Sequence, residues 1–332
     1  LREPFVASPK MRANTATYDP RHTRLEQSSK SVTLFRMTEL AADSNAANVP
    51  EALDDALPLG PDSLVWKYFG DNRMYLIGPR PAVLQNMLAE LGQGVLEHST
   101  FFSDTAERLK RTIPPIFKTV YGSEENNAGT QVRDFHHHVK GDMPGADGQP
   151  VGRYHALDPD TYFWAHATFV EQIYYFADTF VKRLTDAERE QIYLESKTWY
   201  RRYGVSDRPM PATYAEFEQY WDRMMNEVAV PHKSARYGVG YVTKGFPCPK
   251  GVNPTVWKVV ATVFDPLAAF ITAGGLPPRA RDLLGIPWTD KQERNYQRFA
   301  AFWRTRPVNW VWDRLPMSLR YSKFAQAGYA RG

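Results

Sequence analysis

Apolar residues recur at three- and four-residue spacing along most of this chain, a period that predicts helices. Side chains with this spacing lie on one face of a helix, where they can pack against a core. Alternating patterns typical of strands are short and scattered. The pattern therefore predicts an all-α fold. Its clearest stripe follows Asp158 and consists of Phe163, His166, Ala167, Val170, Ile173, Tyr174, Ala177 and Phe180.

Capping signals predict where several helices begin. Asp158 followed by Pro159 is a strong start, because a short carboxylate caps free N–H groups and proline at the first helical position gives up an N–H that has no partner. We expect further helices near residues 81–98, 127–140, 253–273 and 315–328. Capping boxes are predicted at Asp104 to Glu107, Thr185 to Glu188, Thr213 to Glu216 and Thr289 to Gln292.

Two prolines interrupt one of these predicted helices. Pro114 and Pro115 follow the start near Asp104. A proline inside a helix removes a hydrogen-bond donor and clashes with the preceding turn. We therefore expect a kink or a break at this point.

Composition places the chain among soluble, enzyme-sized proteins. Residues 1–60 are polar and interrupted, and we expect an extended or partly ordered N-terminal arm, which is also a candidate element for a homodimer. Residues 61–332 lack a Ser- or Gly-rich linker and are predicted to form a single helical domain. The formal net charge of +4 is small and no basic stripe stands out, which argues against nucleic acid as a partner.

Cysteine content and the length of apolar runs bear on where the protein is located in the cell. Cys248 is the only cysteine, so the chain has no disulfide framework. We expect no apolar run to approach the roughly 18 residues of a spanning helix, so the sequence predicts no transmembrane segment. A cytoplasmic location is the expectation, with peripheral association with a membrane left open.

His166 is the candidate for chemistry within the apolar stripe. An imidazole there costs about 1–3 kcal/mol if its ring nitrogens stay unpaired. Either a hydrogen bond to a carbonyl in the core or a metal ion must satisfy it. A lone buried histidine is more often a core residue than a ligand.

A second polar cluster precedes this helix. Arg133, His136, His137 and His138 are predicted at the end of one helix, and the Gly/Pro-rich loop after them would let it fold back beside the helix of His166. Successive helical residues point about 100° apart, so at most one or two of the histidines share a direction with Arg133. Its i+3 and i+4 neighbours are His136 and His137. A haem iron could use such an arrangement, with an imidazole on one face and polar donors for bound oxygen on the other.

An ordered set of motifs resembles the MpaB and rubber oxygenase family, which includes the latex clearing proteins. The resemblance runs from about Trp66 to Arg331. It comprises WKYFGDNRMYLIGPRPAVLQ, GVLEHSTFFSDTAERLKRT, VYGSEENNAGTQVRDFHHHVKG, RYHALDPDTYFWAHATFV, YRRYGVSDRPMPATYAEFEQYWDRM, LPPRARDLLGIPW and RLPMSLRYSKFAQAGYAR. Because the order of the motifs is preserved, the set is more specific than any member of it.

This resemblance implies a globin-like helical core that carries haem b (heme b, with its iron). It implies that His166 is the proximal iron ligand and that Arg133, with His136 or His137, lies on the distal side. No Lys-Thr pair precedes the loop, so the sixth iron position is taken by a histidine or is open. The cofactor is expected to contact three further residues of the same helix, Phe163, Trp164 and Val170.

Three hypotheses of function follow. The first is a haem b-dependent oxygenase that uses O2 on an apolar, unsaturated, isoprenoid-like or lipid-like substrate; the resemblance implies oxidative cleavage of a C=C bond. The second is a haem-binding carrier, or a gas or redox sensor, without turnover. The third is a metal-free or non-haem site, such as a hydrolase built from His136, His166 and Asp134 or Asp160.

Overall fold

Helices dominate the structure, a computed structural model that describes residues 56–100, 105–123, 125–145, 147, 149–249 and 251–332. It is 67% helical, which confirms the predicted all-α class. Residues 54–332 form one compact unit. The predicted N-terminal arm, apart from its last residues, and the predicted helix start at Asp104 lie outside the described residues.

The helices follow one another with short connections. The first eight are α1 (Leu64–Phe69), α2 (Arg80–Gln85), α3 (Ala89–His98), α4 (Thr105–Tyr121), α5 (Ala128–Phe135), α6 (Pro159–Phe176), α7 (Asp186–Arg201) and α8 (Tyr214–Arg223). The remainder are α9 (Lys233–Gly238), α10 (Tyr241–Lys244), α11 (Pro254–Gly275), α12 (Pro278–Leu284), α13 (Asp290–Trp303), α14 (Arg306–Arg314), α15 (Met317–Arg320) and α16 (Lys323–Tyr329). A 3₁₀ helix spans Asn72–Ile77, and π-helical turns at Ala177–Val181 and Met224–Val228 extend α6 and α8.

The central helix is α6, which packs against α1, α2 and α7. Its start is as predicted: the Asp158 carboxylate accepts hydrogen bonds from the backbone N–H groups of Asp160 (3.1 Å) and Thr161 (3.2 Å), and Pro159 is the first helical residue. These two hydrogen bonds fix the residue at which the helix begins, and therefore which side chains face the core. His166 accordingly faces the core and is only 3% exposed, as its place in the stripe predicts.

Three of the predicted capping boxes fall in the described residues. Those at Thr185 and Thr289 are complete. In each, the threonine side chain accepts from the backbone N–H three residues later, and the side chain of that later residue accepts from the threonine N–H. Thr213 accepts from the N–H of Glu216, but the Glu216 carboxylate accepts from the N–H of Ala212 instead of the cap residue. This third box is therefore half formed.

Of the kink or break expected at Pro114 and Pro115, the break does not occur, because α4 continues through both residues. A proline has no N–H to donate to the carbonyl four residues earlier in the helix. For these two prolines the carbonyls belong to Lys110 and Arg111, which are both exposed. Water can therefore satisfy them, and the helix persists.

The helix expected over 127–140 is shorter than predicted. α5 ends at Phe135, and tight turns carry the chain through the three histidines into strand β1 (Lys140–Pro144). β1 pairs antiparallel with β2 (Pro150–His155), so the Gly/Pro-rich segment is a β-hairpin. A Cβ at Gly141 would lie 2.8 Å from a carboxylate oxygen of Glu97 on α3, so glycine allows the hairpin to approach that helix closely. The helices expected over 81–98 and 315–328 are each divided in two.

One helix is unusually exposed. α11 is 22 residues long, with a mean hydropathy of 1.5 over an 18-residue window of which 11% is buried. By length and composition alone it could cross a membrane. The expectation that no apolar run approaches this length is thereby corrected; Lys258 and Asp265 interrupt the run, and this interruption hides it in the sequence.

Candidate functional site

The environment of His166 is almost entirely aromatic. The centroid of its ring lies 4.9 Å from Trp199, 5.1 Å from Tyr200, 6.2 Å from Phe163 and 6.3 Å from Tyr203. α7 supplies Trp199 and Tyr200, and Tyr203 follows the end of that helix. The imidazole is thus enclosed between α6 and α7, away from solvent.

Both ring nitrogens of His166 lack a hydrogen-bond partner, and each exposes less than 1 Å². Burial lowers the pKa of the ring to about 3, and the backbone of Ser196 partly offsets this shift without making a hydrogen bond of normal geometry. The ring is therefore neutral at physiological pH and keeps a free lone pair. The core hydrogen bond that would make His166 an ordinary buried histidine is not formed.

A haem iron fits the donor chemistry of this side chain, because a neutral imidazole in an apolar surrounding is a common axial ligand. The space beside the ring is filled, however, by Trp199 and Tyr200 of α7 and by Tyr203, which follows that helix. Trp199 and Tyr203 are bonded to each other, with the indole N–H donating to the Tyr203 hydroxyl over 2.8 Å. A porphyrin beside His166 requires these rings to move aside.

His136 lies across two tyrosines from His166. Its ring is 6.1 Å from that of Tyr162, which is 5.4 Å from that of Tyr203. Its Nδ1 donates to the carbonyl of Val132 over 2.6 Å, which assigns the proton to Nδ1 and leaves Nε2 as an acceptor. Burial lowers the pKa of His136, so this ring also favours the neutral form. The buried hydroxyl of Tyr162 has no partner.

Arg133 and His137 both pair with Asp134. Arg133 also donates to the carbonyl of Gly204, next to Tyr203, over 3.5 Å. Arg133 pairs with Asp134 over 2.7 Å, with 30% of its side chain exposed. His137 is 64% exposed and lies 3.4 Å from the same carboxylate. Because α5 ends at Phe135, the helical spacing that was expected to align Arg133 with both histidines does not continue. Of the predicted distal residues, His136 has a ring contact with Tyr162, Arg133 lies beside Gly204 at the edge of this region, and His137 is exposed.

The other residues predicted to contact a cofactor divide between two sides of α6. Phe163 and Val170 are buried at positions that share the face of His166. Trp164 lies on the opposite side, where its ring stacks on Trp221 of α8 at 5.2 Å and its indole N–H donates to the carbonyl of Gln85. Trp164 therefore holds α6 against α8.

Two open clefts of the described residues lie away from His166. One of about 700 Å³ opens at the beginning of α6, and its lining includes Lys140, Arg153, His155, Asp158 and Tyr220. Another of about 570 Å³ lies beside Tyr174 and Arg189. His166 lines neither cleft.

Non-haem metal chemistry finds no ligand set in the described part of the chain, where no group of three His, Cys, Asp or Glu side chains could hold an ion. The carboxylates proposed for a hydrolase are engaged elsewhere, Asp134 with Arg133 and Asp160 with Arg208. This arrangement disfavours the third hypothesis.

Sequence reasoning missed the aromatic residues that enclose His166. Trp199 and Tyr203 are four positions apart, at the spacing that places side chains on one helix face. That spacing marks an aromatic stripe at the end of α7. Nothing in it identifies His166, some 35 residues earlier, as the partner.

Comparison with known proteins gives a family-level match. The model of the ER-bound oxygenase mpaB/B′ and rubber oxygenase catalytic domain matches residues 66–305. Among curated proteins, the uncharacterized protein Mb2261 of Mycobacterium bovis and the uncharacterized protein Rv2237 of Mycobacterium tuberculosis are each 23% identical over 224 residues, which is 65% of this chain and 81% of theirs. No solved structure matches the chain.

Proposed function

The chain belongs to the mpaB and rubber oxygenase catalytic-domain family, and on that premise we propose that it is a haem b-dependent oxygenase. Its substrate in this proposal is an apolar molecule with an unsaturated, isoprenoid-like chain, and its second substrate is O2. Membership of an oxygenase family makes the chain an enzyme of the oxidoreductase class. The cofactor, the substrate and the cleavage of a C=C bond are the proposal.

One observation carries it. His166 is a fully buried imidazole with two unpartnered nitrogens and a pKa held near 3, on a helix whose start is fixed by Asp158. A buried polar group without a partner costs free energy, so a structure that retains one calls for a functional reason. An iron bond would satisfy the lone pair, and the depressed pKa keeps protons from competing for it.

Bound haem b would supply the capacity to activate O2. The protein itself would keep water away from the cofactor and hold the substrate in place. Aromatic side chains on α6 and α7 exclude water from the region of His166, where the ring nitrogens have almost no accessible surface. A dry, apolar wall also suits a hydrocarbon chain, because apolar surface gains free energy when it leaves water.

His136 is proposed to accept a proton at Nε2. Since Nδ1 donates to the Val132 carbonyl, Nε2 carries the lone pair, and the lowered pKa keeps the ring neutral. In this form the ring can take a proton from an activated carbon of the substrate. Arg133 is proposed as a hydrogen-bond donor on the distal side. For this role its guanidinium must leave the ion pair with Asp134 and turn towards the interior.

The test is O2 uptake by the haem-loaded protein in the presence of squalene, with its saturated counterpart squalane as the matched control. We expect uptake with squalene only, together with carbonyl products that a hydrazine reagent traps. Ferrous protein that binds O2 but does not consume it, with squalene and other polyenes alike, would instead support the carrier or sensor hypothesis.

Single substitutions distinguish the proposed roles of two histidines in the turn, His136 and His137. His136→Ala should reduce turnover about 100-fold with haem content unchanged, as expected for the loss of a general base. His137→Ala is the matched control, because this side chain is 64% exposed, and it should retain near wild-type turnover. Equal losses in the two variants would contradict the role of His136.

A further inference from the structure

The exposed face of α11 is apolar. Six side chains at helical spacing share it, with exposures that reach 68% at Val259 and 73% at Val263. The full set is Val256, Val259, Val260, Val263, Phe264 and Leu267. Apolar positions at i, i+3, i+4, i+7, i+8 and i+11 form one continuous stripe, and such a stripe ordinarily packs against something.

Both ends of α11 are fixed to the protein. Its last turn, Thr272–Gly275, is buried, and a Cβ on Gly274 would fall 2.1 Å from the ring of Tyr296 on α13. Near its start, the Trp257 indole N–H donates to the carbonyl of Phe246, in the connection from α10. A helix held at both ends cannot cross a bilayer unless the structure around it unfolds. The stripe can therefore contact a membrane only by lying along its surface.

The neighbourhood of the stripe is strongly basic. Residues 228–267, which include the whole stripe, contain five Lys or Arg and one acidic residue, Asp265, so this segment carries +4, whereas the whole chain carries +4 and the remainder 0. Lys250 lies outside the described residues; Lys233, Arg236, Lys244 and Lys258 are all exposed. The positive charge of the chain is therefore concentrated in the segment that also presents the apolar stripe.

We propose that α11, with the basic residues of α9 and α10, docks on the surface of an anionic lipid bilayer. The apolar stripe would enter the boundary between headgroups and acyl chains, and the Lys and Arg side chains of α9 and α10 would contact the anionic headgroups. A second copy of the chain fits the stripe less well than a lipid bilayer does. A two-fold contact through this stripe would bring two segments of +4 together, and like charges repel.

The experiment is co-sedimentation of the full chain with vesicles of phosphatidylcholine containing phosphatidylglycerol, and with vesicles of phosphatidylcholine alone. We expect binding to the anionic vesicles that weakens as salt is raised. Val259→Glu with Val263→Glu should reduce that binding about 100-fold, because two inserted side chains become charged. Val151→Glu is the matched control, since Val151 is 74% exposed on β2, and it should bind like the wild type.

The charge contribution is tested separately. Lys233→Gln with Lys244→Gln should weaken binding to anionic vesicles about 25-fold, at about fivefold for each basic residue near the surface. Circular dichroism and the molar mass in solution accompany every variant. Wild-type protein that stays in the supernatant with anionic vesicles overturns the proposal. A dimer that Val259→Glu with Val263→Glu dissociates, without vesicle binding, would show that a second copy covers the stripe.

Discussion

Replacing His166 by leucine should stabilise the haem-free protein. The wild-type ring buries two nitrogens that have no hydrogen-bond partner. Leaving such groups unpaired costs about 1–3 kcal/mol, a cost that a leucine of similar volume does not incur. We therefore expect the free energy of unfolding of His166→Leu to exceed that of the wild type by about 1–3 kcal/mol near pH 7.5.

The same substitution should remove a pH dependence. The folded-state pKa of His166 is about 3, against an ordinary value of 6.5. As pH falls, the unfolded chain takes up the proton first, so stability declines from about pH 6.5 towards pH 3. At about 1.4 kcal/mol for each pKa unit, the haem-free wild type should lose about 2 kcal/mol between pH 7 and pH 5 through this group. His166→Leu should lack that component.

The assay is urea denaturation of the haem-free proteins at pH 7.5, 7 and 5. Thr168→Val is the matched control on the same helix: Thr168 is fully buried, but its hydroxyl is bonded to Ala165 and Gln85. This control should lose about 0.5–1.5 kcal/mol, because it removes satisfied bonds. If His166→Leu is destabilised as much as the control, His166 is an ordinary bonded core residue and the reasoning fails.

Two further predictions test the frame that positions the site. Asp158→Ala should destabilise the protein by about 0.5–2 kcal/mol in the same denaturation assay, because it removes both capping bonds at the start of α6; an unchanged midpoint would mean that packing alone fixes this helix. Gly274→Ala should cost about 1–3 kcal/mol by overpacking against Tyr296. Gly152→Ala, where a Cβ meets nothing within 4 Å, should be near neutral, and equal effects of the two would contradict the close packing of α11 on α13.

Local signals in the sequence predict local structure well here. Asp158 and Pro159 mark the beginning of α6, and the stripe that follows places His166 in the core. These features depend on neighbours within a few residues, so periodicity and capping suffice. The ordered motifs add the family, which no single helix could indicate.

Features set by distant contacts could not be predicted in this way. The rings of Trp199 and Tyr203 reach His166 only because α7 folds onto α6. The turn after Phe135 leads into a hairpin that packs on the distant helix α3, where Gly141 allows a close approach. The outward stripe of α11 looks like a core helix in sequence, because composition says nothing of what covers a helix.

The most direct test of iron coordination by His166 is the visible absorption spectrum of the purified protein, oxidised and reduced, with haem quantified as the pyridine haemochrome. We expect a Soret band and stoichiometric haem b in the wild type and in His155→Ala, and loss of both in His166→Ala. Wild-type haem content and an unchanged Soret band in His166→Ala would contradict the assignment.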